Sequence, residues 1–360
     1  MRLFACQSCG QMVYFENTSC TRCGAVLAFA PDTLTVQALP AGDDARGHAA
    51  HDERYRHCAN RSAHDVCNWL VEAGDPDPFC VACRLNQTIP DLSVPGNDLL
   101  WRRLELEKRR LVYSLLRLGL PIVSRADDPA GLAFAFLADT APSFNESGRV
   151  LTGHAAGLIT LNVAEADPVV REQMRAQMAE PYRTILGHFR HESGHYYWDC
   201  LVRGGPWLEE VRALFGDDTL DYAAALDRHY QNGPVADWPE RFVSAYASTH
   251  PWEDWAESWA HYLHIVDTLE TAAAFGFAVR PRVGTSADLY VEAGIDPYGE
   301  ADFRVILAHW LPLTYALNSL NRSMGHEHVY PFVLPAPVIE KLDLVHRIVS
   351  GTRAGAPGEP

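Results

Sequence analysis

The residues best suited to chemistry form the segment His191-Glu-Ser-Gly-His195, which matches the pattern H-E-x-x-H. On a helix the two histidines lie one turn apart on the same face, so both imidazoles can bind one Zn²⁺ ion. Glu192 then lies beside the metal, where its carboxylate can take a proton from an attacking water. The alternative is a surface helix with two unrelated histidines. Apolar residues on more than one face of the segment argue against it, because a buried helix must supply partners for its polar groups.

A catalytic zinc ion has three protein ligands and one open position, so a third ligand must come from elsewhere in the chain. Downstream, the segment His250–His264 is predicted to form a second buried helix. Its potential ligands recur at intervals of four, four and three, along one side of that helix. They are Glu253, Glu257, His261 and His264. The alternative is that these four side chains form hydrogen bonds inside the protein and bind no metal.

The first set of cysteines has two C-x2-C pairs separated by ten residues. It consists of Cys6, Cys9, Cys20 and Cys23. Each pair is followed by a glycine, Gly10 or Gly24, which tolerates the positive φ of a tight turn around a thiolate. Two such turns can hold one tetrahedral Zn²⁺ ion. A disulfide framework is the alternative, but no secretion signal precedes these cysteines.

The second set has four cysteines within 26 residues and predicts a second closed zinc site. Its members are Cys58, Cys67, Cys80 and Cys83. His57 and His64 lie close enough in sequence to replace one thiolate, so the ligand set stays open at this point. A site closed by four protein ligands leaves no position for a substrate. Both cysteine sites are therefore predicted to be structural, and a partner-binding role for them remains open.

Composition limits the class of protein. The chain has 360 residues, of which 48% are hydrophobic, and its formal net charge is −16. The length is typical of two or three globular domains. The acidic balance argues against binding to nucleic acid or to an anionic membrane surface. No apolar run approaches the roughly 20 residues of a membrane span, and the N-terminus lacks the apolar core of a signal peptide, so we expect a cytoplasmic protein.

These features predict a chain of five segments. A zinc ribbon at 1–40 precedes a second four-cysteine segment at 41–98, and a basic connecting helix at 99–121 leads to a catalytic domain at 122–350. The residues 351–360 are predicted to be a disordered tail. The helix, expected at Trp101–Leu118, has six basic and two acidic residues. Docking against an acidic neighbouring domain is favoured for it, and contact with nucleic acid is the alternative.

The pair of predicted helices resembles the gluzincin class of metallopeptidases, in which H-E-x-x-H is followed by a helix that bears the third ligand, a Glu. By position, the resemblance implies that Glu253 binds zinc and that Glu257 orients a ligating imidazole. The reverse assignment, with Glu257 on the metal, remains open.

Over nearly its whole length, the chain is similar to bacterial zinc-binding metallopeptidases with an N-terminal zinc ribbon. The resemblance rests on the cysteine pairs, the zinc helix and several short motifs. These motifs are Cys67-Asn-Trp69, Cys83-Arg-Leu-Asn86, Lys108-Arg-Arg-Leu111, Thr152-Gly-His154, His261-Tyr-Leu-His264, Arg322-Ser-Met-Gly325 and Tyr330-Pro-Phe332. It implies an α+β fold, with zinc-ribbon modules before a mostly helical, zincin-like domain that has a small β-sheet. The two cysteine sets and the H-E-x-x-H segment together predict two structural zinc ions and one catalytic zinc ion.

Further candidates follow from zincin architecture, in which the strand nearest the cleft pairs with the substrate main chain. The candidate substrate edge is Gly157, Leu158, Ile159, Thr160, Leu161 and Asn162, and core packing is the other interpretation. A histidine, tyrosine or arginine commonly stabilises the oxyanion in such sites. Tyr298, Arg322, His326 and Tyr330 are the candidates, and ordinary structural roles are the alternative. Cys200 is expected to be a buried, inert thiol.

The leading hypothesis is a zinc-dependent peptidase that acts on a protein or peptide substrate, with Glu192 as the base. One alternative is an inactive zinc-ribbon adaptor that only binds peptide or protein. Another is a DNA-associated protease, which the net charge of −16 disfavours. The sequence makes no prediction about the oligomeric state.

Overall fold

The computed structural model describes residues 1–39, 54–139, 150, 152–177, 180, 182–284, 286–292 and 294–354. The chain forms two compact units. One comprises Met1–Arg117 and Pro121–Met174, and the other comprises Leu118–Leu120 and Arg175–Pro360. The predicted class is confirmed, because small sheets in the cysteine-rich region are followed by a mostly helical region. The catalytic domain was predicted to begin at residue 122, but the first unit extends to Met174. The strands that precede the zinc helix therefore belong to the first unit.

Short strands and few helices make up the first unit. Its elements are β1 (Phe4–Ala5), β2 (Met12–Val13), β3 (Val26–Ala30), β4 (Thr35–Leu39), β5 (Tyr55–His57), α1 (Ala59–His64), β6 (Leu70–Glu72), β7 (Asn86–Thr88), α2 (Asn97–Arg117), β8 (Ala133–Leu137), β9 (Gly153–Ala155) and β10 (Leu158–Asn162). The pairs β1–β2, β3–β4 and β5–β6 are antiparallel. Helix α3 (Pro168–Gln177) crosses the division between the units.

An aromatic cluster joins the two cysteine segments to helix α2. The rings of Phe15, Phe29, Trp69 and Tyr113 are buried and contact one another at centroid distances of 4.8–6.0 Å. The backbone N–H of Phe29 also donates to the carbonyl of Asn68 at 2.8 Å. We call these four rings the shared aromatic core. Both cysteine segments contribute rings to it.

The basic residues of α2 have partners inside the first unit. Arg102 forms an ion pair with Asp65, and Arg110 forms one with Glu16. Lys108 is fully buried and forms an ion pair with Glu105 of the same helix at 2.8 Å. The expectation that an acidic neighbouring domain neutralises this helix is therefore wrong for these residues. The cysteine-rich segments supply the carboxylates for Arg102 and Arg110, and α2 itself supplies the one for Lys108.

The four-stranded sheet has the order β7-β8-β10-β9. Strand β10 pairs in parallel with β8 along its whole length and antiparallel with β9 from Leu158 to Thr160. The predicted substrate edge at Gly157–Asn162 therefore needs correction, since Leu158, Ile159 and Thr160 already have strands on both sides. The outer strand on this side of the sheet is β9.

Helices dominate the second unit. They are α4 (Ile185–Leu201), α5 (Leu208–Phe215), α6 (Tyr222–Asn232), α7 (Trp238–Arg241), α8 (Pro251–Ala274), α9 (Phe303–Ser323) and α10 (Ala336–Ala354). Two earlier expectations are wrong here. Residues 351–354 of the predicted tail are helical, while 355–360 lie outside the described residues. Cys200 is exposed, because it lies on the last turn of α4.

In the part of the chain that the structure describes, no helix is long and apolar enough to cross a bilayer.

Helices α4 and α8 pack closely at Gly194. A Cβ atom at this position would lie 2.9 Å from Cα of Ala256 and 3.2 Å from Cβ of Trp259. The Gly194 carbonyl also accepts a hydrogen bond from the Trp255 indole at 2.9 Å. Glycine at this position therefore allows the close approach of a second helix. The helix that approaches is the one bearing Glu253.

We expect Gly194→Ala to destabilise the protein by about 1–3 kcal/mol, because the added methyl group must push α8 away from α4. Urea unfolding with tryptophan fluorescence measures this change. Gly204→Ala is not a suitable control because Gly204 has φ of +67°. Gly153→Ala is suitable, since its added Cβ meets no atom within 4 Å. Equal stability of the two variants would contradict the close packing.

Candidate active site

Two helices bring together three potential metal ligands. In α4, the Thr184 hydroxyl caps the N-terminus by accepting from the Gly187 N–H at 2.9 Å, and His191 and His195 follow on one face. In α8, the His250 side chain caps the N-terminus, and Glu253 lies in the first turn. One ligand atom from each of His191, His195 and Glu253 lies within 4.8 Å of the others. We call these three residues the His-His-Glu cluster.

The spacing of the cluster fits zinc. Oε2 of Glu253 lies 3.0 Å from Nε2 of His191 and 3.6 Å from Nε2 of His195. Two nitrogen or oxygen ligands about 2.1 Å from a tetrahedral zinc ion are about 3.4 Å apart, close to both distances. The carboxylate that faces both Nε2 atoms is that of Glu253.

Glu257 contacts the opposite edge of the His191 ring. Its Oε1 atom lies 2.7 Å from Nδ1 of His191, and its Oε2 atom accepts a hydrogen bond from the Ser244 hydroxyl at 2.6 Å. A carboxylate at Nδ1 favours the tautomer with the proton on Nδ1, which leaves Nε2 free to bind a metal. Glu257 thus has the geometry of a residue that orients a ligand.

The electrostatics of the cluster favour a positive charge at its centre. Burial opposes a charged His191, but the carboxylates of Glu253 and Glu257 outweigh burial and raise the pKa of His191 well above its usual value. Burial also opposes a charged Glu253, yet its contacts with His191 and His195 hold its pKa well below the usual value. Two anionic carboxylates around two imidazoles match the charge of a divalent cation.

Glu192 adds a third carboxylate beside the cluster. The residue is 8% exposed, and its Oε2 atom is buried without a hydrogen-bond partner among the described residues. A buried carboxylate oxygen normally has a partner, so this one is available to a bound molecule.

Three aromatic residues that were not predicted from the sequence contact the His-His-Glu cluster. The Tyr222 hydroxyl donates to Oε1 of Glu253 at 2.6 Å, the Tyr246 ring lies 5.9 Å from the His191 ring, and the Trp252 ring lies 3.9 Å from the His195 ring. Burial first, and then the charge of Glu253, raises the pKa of both Tyr222 and Tyr246. Both hydroxyls therefore stay protonated and can donate hydrogen bonds.

For two of the four predicted oxyanion residues, Tyr298 and Tyr330, the structure shows hydrogen-bond partners outside the His-His-Glu cluster. The Tyr298 hydroxyl donates to Asp267, which is 14 residues after Glu253 and thus about 21 Å further along α8. The Tyr330 hydroxyl is hydrogen-bonded to Nδ1 of His261 at 2.7 Å. Both tyrosines therefore have structural partners. Arg322 and His326 are exposed.

Both cysteine sets converge as predicted. Each forms a group of four thiols, and neither His57 nor His64 is needed to complete the second group. The Sγ–Sγ distances are 3.7 Å for Cys6–Cys23, 3.6 Å for Cys9–Cys20 and 3.7 Å for Cys67–Cys80. A tetrahedral zinc ion with sulfur ligands at about 2.3 Å separates them by about 3.8 Å, whereas a disulfide bond is about 2.0 Å long. The distances fit zinc and rule out disulfides for these pairs.

Comparison with known proteins agrees with this arrangement. A zinc-ribbon domain family matches residues 3–94, and a family described as "Putative zinc-binding metallo-peptidase" matches residues 97–348. The chain is 44% identical over 357 residues to uncharacterized proteins of Mycobacterium bovis and Mycobacterium tuberculosis, and the alignments cover 97% of this chain and 95% of each relative. No solved structure matches it. The chain therefore belongs to this family of zinc-binding metallopeptidases and carries its zinc-ribbon region at the N-terminus.

Proposed function

We propose that this chain is a zinc-dependent peptidase that hydrolyses peptide bonds in a protein or peptide substrate. The observation that carries the proposal is the His-His-Glu cluster, with the unpartnered carboxylate oxygen of Glu192 beside it. His191, His195 and Glu253 would hold the zinc ion, and the two four-cysteine groups would hold two more. When bound in the cluster, zinc supplies a Lewis acid that polarises a carbonyl group and acidifies water.

Glu192 acts as the general base in this proposal. Its Oε2 atom accepts a proton from the attacking water and later delivers it to the nitrogen of the departing amine. Glu192 is only 8% exposed, so its carboxylate is restrained by its neighbours and few solvent molecules can reach it. The chemistry needs a carboxylate with a free oxygen next to the metal ligands, and Glu192 is placed there by its position within H-E-x-x-H.

The residues around His191 serve to orient it. Glu257 holds the ring by its Nδ1 atom, and Ser244 holds Glu257. Such contacts raise the basicity of a ligating imidazole and fix the direction of its free nitrogen. Glu257 therefore supports the metal site without itself binding zinc in this proposal.

Tyr246 is our candidate for stabilising the oxyanion. Its hydroxyl is hydrogen-bonded to that of Tyr222, which in turn donates a hydrogen bond to Oε1 of Glu253. We expect Tyr246→Phe to lower kcat by about 10²–10³-fold, because one donor to the developing negative charge is lost. Zinc content should not change. Rates of cleavage of an identified peptide, measured beside zinc content, test this expectation.

Tyr315→Phe is the matched control for Tyr246→Phe. Tyr315 lies at 60% exposure on α9 of the same unit. Its hydroxyl is therefore expected to contribute little. A loss of activity in Tyr315→Phe as large as in Tyr246→Phe would contradict the role given to Tyr246.

The proposal itself is tested by a cleavage profile. The full-length protein is loaded with zinc and incubated with a peptide library derived from a proteome, and new termini are identified by mass spectrometry. We expect cleavages that disappear in a chelator and return with added zinc. A chain that contains zinc in the His-His-Glu cluster but yields no zinc-dependent cleavage would contradict the proposed activity.

A further inference from the structure

A buried lysine connects the elements that carry the candidate active site. Lys341 lies on α10, and its ammonium forms an ion pair with Oδ2 of Asp254 at 2.6 Å. The two side chains are 6% and 1% exposed. Asp254 directly follows Glu253 in the first turn of α8, so this ion pair acts on the same helical turn that presents the third ligand.

The same ammonium binds a second element. Its Nζ atom donates to the carbonyl of Arg241 at 2.9 Å and lies 4.3 Å from the ring centre of Phe242. These residues begin the segment that leads to Ser244, which holds Glu257, and to Tyr246, which contacts His191. A tetrahedral ammonium has three donors in different directions, which suits a role between several elements.

The first turn of a helix needs such support. Its N–H groups lack partners within the helix, so the position of this turn depends on capping and on side-chain contacts. In α8, the cap is His250, whose ring also contacts the Leu220 carbonyl at 3.1 Å. Lys341 supplies the contact on the side facing α10. No other cation forms an ion pair with Asp254 among the described residues, and its Oδ1 atom has no hydrogen-bond partner there.

We propose that Lys341 is a positioning residue for the metal centre: its ammonium fixes the turn that carries Glu253 relative to the segment that carries Ser244 and Tyr246. The inference rests on the zinc site of the proposed function. It assigns to α10 a part in metal binding, although α10 contributes no ligand. A buried ion pair is often no more stabilising than an apolar pair of the same size, so its loss can alter the geometry of the site while the fold persists.

The test uses the double variant Asp254→Asn/Lys341→Met. Removing Lys341 alone would leave Asp254 buried and unpaired, and the chain could then unfold for that reason alone. The double variant removes both charges and keeps the volumes similar. Zinc stoichiometry of the full chain is measured over a series of chelator-buffered free zinc concentrations, together with the thermal unfolding temperature.

We expect the double variant to keep the two zinc ions of the cysteine groups and an unfolding temperature close to that of the wild type. Binding of the third zinc ion should require about 10–100-fold more free zinc, the usual effect of losing support for a ligand. Arg347→Met is the control, since Arg347 also lies on α10 and pairs with Glu210 at 2.6 Å on the surface. It should leave the third binding step unchanged.

Each result has a defined meaning. A third binding step at the wild-type zinc concentration in a folded double variant overturns the inference, as does a shift of equal size in Arg347→Met. A shifted step supports it even if the wild-type chain cleaves no peptide, which would count against the proposed activity alone. A wild-type chain without a third zinc ion would overturn both the zinc site and the role of Lys341.

Discussion

Replacing Glu192 by glutamine should lower hydrolysis by at least about 10²–10⁴-fold, the contribution typical of a positioned general base. Glutamine has nearly the same shape but cannot accept the proton of the attacking water. Since Glu192 is not a member of the His-His-Glu cluster, zinc content should remain that of the wild type. The experiment measures cleavage of an identified peptide and zinc content on the same preparation.

Glu240→Gln provides the matched control, because Glu240 is an exposed carboxylate in α7 of the same unit. This variant should cleave at the wild-type rate. Wild-type activity in Glu192→Gln would remove Glu192 from the mechanism. Loss of the third zinc ion in Glu192→Gln would instead identify Glu192 as a ligand and contradict its role as a base.

The second large effect concerns the second cysteine group. All four of its thiols are buried, and Sγ of Cys58 accepts a hydrogen bond from the Cys80 N–H at 3.4 Å. We expect Cys80→Ser to lose one zinc ion and to unfold much of the first unit, because structural zinc in small domains contributes about 10–16 kcal/mol of apparent binding free energy to folding. Limited proteolysis with mass spectrometry should show new cleavages between residues 54 and 94.

Cys200→Ser makes the same chemical change outside the cysteine groups. Cys200 is exposed on α4, so this variant should keep its zinc content and its resistance to proteolysis. A Cys80→Ser protein that retains all its zinc and resists protease as the wild type does would contradict a structural metal at this site.

The ligand cluster was predictable because its spacing is local. The interval of four between His191 and His195 places both on one face of any helix, and the intervals in α8 do the same for Glu253 and Glu257. Tyr222 and Tyr246 were not predictable in this way. They precede Glu253 by 31 and 7 residues, and their approach to it depends on how the intervening chain folds back. A tyrosine with no periodic relation to a motif gives no signal of its own in one sequence.

The four-stranded sheet could also be predicted only in part from the sequence. Strands β8 (Ala133–Leu137) and β10 (Leu158–Asn162) are short apolar runs, a pattern that is typical of buried strands. The strand β9 has only three residues, Gly153–Ala155, and no apolar alternation. The hydrophobic pattern of the sequence therefore predicts neither this strand nor its pairing with β10. Likewise, the charge of α2 was visible in the sequence, but the choice of Glu16 and Asp65 as partners depends on tertiary packing.

The shared aromatic core has a consequence for how the chain responds to scarce zinc. Phe15 and Phe29 belong to the first cysteine segment and Trp69 to the second, and their rings touch. The two segments meet in this core, so we expect each zinc ion that binds to lower the free-energy cost of ordering the region for the other. We therefore expect occupancy at the two cysteine groups to be positively cooperative. In a population short of zinc, chains with one structural ion should then be fewer than independent binding would give.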